Sequence, residues 1–158
     1  MVRSSELKPA ITPPLPGLSL QRLSILVGNW EVVGTYPLFA TLLHGRSSFE
    51  RLGTRPLFVW RSDFDAAALP NTISVIGYDD SLETWSMFYS DGRGVLRIYG
   101  MSLLGSIWKI WRSDATGLSE RFVGSFSTDG NVIVGYWAWS TDGSNWEHDL
   151  DLIFTRIR

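Results

Sequence analysis

The feature that most constrains this chain is a repeated alternation. Short runs of bulky apolar and polar residues, about ten of them, are separated by residues that turn the backbone. Three separators are Asp-Gly pairs: Asp91-Gly92, Asp129-Gly130 and Asp142-Gly143. An Asp-Gly pair between alternating runs is the strongest short-range hairpin signal, because its backbone twist matches that of the flanking strands. Tyr78 to Ser81 and Ser113 to Gly117 carry turn chemistry as well. The predicted strand cores are Trp30–Tyr36, Leu42–Leu52, Leu57–Phe64, Thr72–Tyr78, Thr84–Tyr89, Val95–Met101, Ile107–Arg112, Glu120–Phe126, Val132–Ser140 and Trp146–Arg156. The longest irregular connection runs from Asp65 to Asn71.

Consecutive hairpins make a meander of antiparallel neighbours. A meander this long accumulates twist and leaves exposed edges, and closing into a barrel removes both problems. The expected fold is therefore all-β: an antiparallel up-and-down barrel of about ten strands. Before the strands, Leu20, Leu23, Leu26 and Val27 share one side at helical spacing, and Gly28 can end the helix. This short N-terminal helix, predicted over Leu18 to Val27, is expected to cover one end of the barrel. Residues 1–17, with Pro9, Pro13, Pro14 and Pro16, read as an extended arm. Residues 18–158 read as one barrel domain.

Composition excludes several classes. The chain of 158 residues has a net charge of -2, which argues against nucleic-acid or anionic-membrane partners. It has no cysteine, so disulfides, thiolate nucleophiles and zinc-thiolate sites are ruled out. Residues 1–17 lack the apolar core of a secretory signal, and no run approaches the roughly 20 apolar residues of a membrane helix. A cytoplasmic location is the resulting expectation.

Gly28-Asn29-Trp30 opens the first strand directly after the helix, and Phe154-Thr155-Arg156 ends the last. This pairing resembles the calycins: lipocalins, fatty-acid-binding proteins and nitrobindin-like barrels. The resemblance implies that Trp30 packs at the closed end and that Arg156 stacks over it. The middle of the chain is similar to an uncharacterised bacterial family of lipocalin-like barrels. The stretches that carry this likeness are Ile76-Gly77-Tyr78-Asp79, Tyr89-Ser90-Asp91-Gly92, Arg97-Ile98-Tyr99-Gly100-Met101, Arg121 to Phe126, Asp129-Gly130 and Trp146 to Leu150. The likeness extends over about residues 28–158 and implies the fold without a known activity. Calycins often dimerise, so a homodimer is compatible with it.

Arg97 and Tyr99 share one strand face. A similar Arg-x-Tyr in fatty-acid-binding barrels implies an interior clamp for a carboxylate. The alternative is an outward pair that stabilises neighbouring strands. The two histidines are His44 and His148. If Asp149 and Asp151 face solvent, because burying an unpaired carboxylate is costly, alternation points His148 inward at the open end. His44 would line the same mouth. The nitrobindin resemblance then makes His148 a candidate haem ligand. Trp85 and Tyr89, with Tyr78, Trp108, Trp111, Tyr136, Trp137 and Trp139, are candidates either to line a cavity or to fill the core.

There is no Gly-x-Ser-x-Gly elbow, phosphate loop or metal motif. Glu50 with His44 or Arg46 is the one strand-face set with acid–base chemistry, which keeps a barrel isomerase or cyclase as an alternative. The leading expectation is a barrel that binds a small hydrophobic molecule, with or without a carboxylate, and whether it is also an enzyme stays open, with no catalytic set to favour it. Its expected binding residues are Arg97, Tyr99, His44, His148, Trp85 and Tyr89. It is read as having no resident cofactor, with haem as the alternative.

Overall fold

A computed structural model describes residues 21–67 and 69–158. The arm expected over residues 1–17 and the start of the predicted helix lie outside the described residues. Ten strands follow in chain order. They are β1 (Gly28–Tyr36), β2 (Phe39–Arg51), β3 (Leu57–Phe64), β4 (Thr72–Asp79), β5 (Thr84–Asp91), β6 (Leu96–Leu104), β7 (Ile107–Ser113), β8 (Ser119–Phe126), β9 (Val132–Ser140) and β10 (Glu147–Arg156). Each pairs antiparallel with its sequence neighbours, and β1 also pairs with β10, so the barrel is closed. The helix is short, a single turn over 21–23 followed by a turn over 24–26.

Turn chemistry sets the hairpins. Gly130 and Gly143 adopt φ of 70° and 73°, the left-handed region where a side chain is disfavoured. At Asp91-Gly92 the left-handed residue is instead Gly94, with φ of 81°. Asp91 organises that turn by accepting the backbone N–H of Arg93 at 2.9 Å.

The start of β1 marks the closed end of the barrel. Leu23 and Leu26 are buried there beneath the helical turn, beside the fully buried Trp30. The interior above them is packed with aromatics. Trp108 lies 5.7 Å from Phe49, 5.3 Å from Trp60 and 5.0 Å from Phe122, in edge-on or tilted geometries that suit ring quadrupoles. Gly124 and Gly135 face each other across β8 and β9. A Cβ at Gly135 would stand 2.5 Å from the Phe122 ring, so the missing side chains make room for that phenyl group.

β10 is the one strand whose inner face departs from simple alternation. The register passes from His148 opposite Ala138 to Leu150 opposite Trp137, which leaves Asp149 as the extra residue of a β-bulge. From Leu150 onward the strand alternates cleanly, with Leu150, Leu152 and Phe154 buried.

Candidate functional site

The open half of the barrel holds a cavity of about 320 Å³. Its floor and walls are mainly apolar, with Trp60, Met87, Trp137, Leu150, Leu152 and Phe154, and carry the hydroxyls of Ser62, Thr72 and Ser74. Leu69 and Pro70, from the long β3–β4 connection, reach over its edge. Its polar side is the mouth, where β5, β6, β8 and β10 contribute Tyr89, Arg97, Tyr99, Glu120 and Asp149, with Arg93 from the β5–β6 turn and Tyr36 from β1.

Most charges of the mouth are paired with each other. The Arg97 guanidinium donates to Glu120 at 3.0 Å, and Arg112 donates to the other carboxylate oxygen at 2.8 Å. The Tyr99 hydroxyl donates to Glu120 at 3.4 Å. Asp91 accepts from Tyr89 at 2.9 Å and from Arg93 at 2.7 Å. The Arg93 hydrogen bond holds the Asp91 carboxyl well below the usual carboxylate range. Burial pushes the Tyr89 and Tyr99 phenols up, and for Tyr89 the Asp91 carboxylate adds to the effect. Both tyrosines are therefore protonated donors at neutral pH.

Asp149 is different. Burial raises its pKa, with Glu120 adding to the shift and His148 opposing it. Tyr36 is raised too, first by burial and then by the Asp149 charge.

The sequence-predicted residues divide sharply. Arg97 and Tyr99 point into the barrel and line the cavity, together with Tyr89. The strand that carries them is inverted relative to ordinary patterning, with Leu96 and Ile98 exposed outside. Trp85 also faces the interior, but it sits below the cavity and packs against Phe58 and Tyr78. It does not line the site.

The two histidines correct the expectation of an imidazole-lined mouth. His148 is exposed on the outer face, stacked on Tyr136 at 4.9 Å with its Nε2 2.8 Å from Asp151. The bulge at Asp149 shifts the alternation by one residue, so the side chain expected inside is outside and Asp149 lines the cavity instead. Trp146, also expected inward, stacks under Arg121 at 3.8 Å. His44 pairs across from Val33 and is exposed in an outer groove with Glu31, Arg46, Asp63 and Asp65. Glu50 is exposed outside as well, 3.8 Å from Arg61, so the acid–base set with His44 and Arg46 does not face the cavity. Haem held by His148 does not fit this arrangement, because neither imidazole of the chain reaches the interior.

Glu120, Asp91, Arg93, Asp149, Trp60 and Tyr36 were not predicted as site residues. A usable signal existed for Glu120, which lies two residues before Phe122 and so shares its inward face. None existed for Asp149.

At the closed end, the Trp30 indole N–H donates to the Leu26 carbonyl at 2.9 Å. The Arg156 guanidinium carbon lies 4.2 Å from the Trp30 ring centre. Its nitrogens donate to the carbonyls of Val27 at 2.7 Å, Ile25 at 2.6 Å and Gly130 at 3.2 Å. Gly28 is needed beneath it, since a Cβ there would stand 2.9 Å from the guanidinium.

No family model matches the chain, and no curated protein matches it. Among solved structures it is similar to the crystal structure of Rv2717c from M. tuberculosis, with a TM-score of 0.63 and 16% identity over 89% of this chain and 98% of that one. At that identity the likeness is one of fold. The structure of EF1p2_mFAP2b bound to DFHBI aligns at a TM-score of 0.44 and 10% identity, over 87% of this chain and 98% of that one. The chain is a closed ten-stranded antiparallel barrel, and the first of these neighbours shares its fold. Among the described residues, no helix is long and apolar enough to cross a membrane.

Proposed function

We propose that this protein binds a small, largely apolar molecule inside its barrel, with the molecule's polar end at the open mouth. One observation carries the reading: a cavity of about 320 Å³ with an aromatic and aliphatic floor and a rim of converging polar groups. Ligand sites have this build, in which apolar area supplies affinity and a few placed polar groups fix orientation. The cavity is at the small end of the usual range, roughly 300–1,000 Å³, so the ligand has on the order of ten to fifteen non-hydrogen atoms. Arg97, Tyr99 and Tyr89 shape the polar end in this reading, and Trp60 and Trp137 contact the apolar body.

The test is a panel of small apolar compounds followed by tryptophan fluorescence and thermal shift. Trp60 and Trp137 border the cavity and should report occupancy directly. A true ligand at 100 times its Kd stabilises the fold by about 2.7 kcal/mol. Ser74 is buried on the cavity wall, and Ser74→Phe fills the space. Saturable binding that this variant abolishes supports the proposal. Binding that survives it places the ligand elsewhere and overturns the proposal.

A further inference from the structure

The bulge in β10 delivers one carboxyl group to the cavity, and that group is unmatched. Four charged side chains line the site: Arg93, Arg97, Glu120 and Asp149. Arg93 is held by Asp91 at 2.7 Å and Arg97 by Glu120 at 3.0 Å. Glu120 is further held by Arg112 at 2.8 Å. Among the described residues, Asp149 alone of the four has no hydrogen-bond or ion-pair partner; it is exposed at the rim, and the Tyr36 hydroxyl near it has none either. A β-bulge that re-aims a side chain into a site is a common device in sheets. Here it turns an acceptor toward the space where a ligand's polar end would sit.

A ligand carboxylate meets the opposite situation. It would share Arg97 with Glu120, which already holds one guanidinium nitrogen, and sit in the field of both Glu120 and Asp149. Like charges at that range disfavour each other. A hydroxyl or an amine meets a free acceptor and displaces nothing.

Resting on the binding reading above, we propose that the ligand's polar end is a hydrogen-bond donor, an amine or a hydroxyl, seated on Asp149 beside Tyr36. Arg97 is then a structural cation held by Glu120, not a carboxylate clamp.

Three probes of one chain length separate the possibilities: octylamine, 1-octanol and octanoic acid, titrated at pH 7 by calorimetry and tryptophan fluorescence. The expected result is that octylamine and 1-octanol bind at least tenfold tighter than octanoate. Asp149→Asn should weaken octylamine at least tenfold and 1-octanol less, because the amide keeps an acceptor and loses the charge. A preference for octanoate that Arg97→Gln abolishes would overturn the inference while leaving the binding reading intact. Equal affinity for all three would also overturn it alone. No binding by any of them would overturn the binding reading as well. The wild-type ranking needs no variant, so it decides the matter even if a variant fails to fold.

Discussion

The two ends of the barrel use similar residues for opposite purposes. At the closed end, Trp30 and Arg156 stack, and their donors meet the carbonyls of Leu26, Val27, Ile25 and Gly130. At the open end, arginines, tyrosines and carboxylates form pairs around an open cavity, with Asp149 unmatched. Polar groups that satisfy one another in a dry place fix a structure. Polar groups left over beside a cavity are available to something else. Stability should therefore respond mainly to the closed end, and recognition to the open end.

The strongest challenge to this contrast is Trp30→Ala. Removing a fully buried indole should destabilise the protein by about 3–5 kcal/mol in urea denaturation. A loss below about 1 kcal/mol would show that the closed end is not the anchor described here. Arg156→Ala should rank next, at about 1–3 kcal/mol, because it leaves partly buried carbonyls without donors. Arg156→Lys should recover little, since one ammonium cannot reach all three carbonyls and stack on the ring.

Acid tests one pair of the open end when the wild type is compared with its own variant. The Asp91 carboxyl is depressed by its Arg93 bond, so its stabilisation is present above its unfolded pKa of about 4 and is lost as pH falls through the lower native value. Melting temperatures measured from pH 6 to pH 2 should drop more steeply for the wild type than for Asp91→Asn. Parallel curves would mean that the Asp91–Arg93 pair contributes nothing to the fold. The smallest expected effect is that of His148→Ala, under about 0.5 kcal/mol, with unchanged affinity for any interior ligand and for hemin. A hemin-dependent Soret band abolished by this variant would contradict the outward placement of His148.

Much of the architecture was legible in the chain. All ten strands match their predicted cores to within a few residues, because hairpin turns and strand runs are local signals. The open end was legible only in part. β6 reverses the rule of polar side chains outside, placing Arg97 and Tyr99 within and Leu96 and Ile98 without. That inversion is tolerable because Glu120, 23 residues away from Arg97, satisfies the guanidinium. On β10, solvation by itself does not send Asp149 outward. A carboxyl on the inner side of an open mouth keeps part of its water, so it does not carry the full penalty of burial.

The sequence by itself determined the strands and their hairpins, through local turn chemistry, and the closure, through their number; the Trp30–Arg156 end followed from the resemblance to the calycins. Only the tertiary structure decided which face of the open end looks inward. One extra residue in β10, absorbed by its pairing with β9, reverses every side chain on its far side. A single strand read at period two carries no mark of that slip.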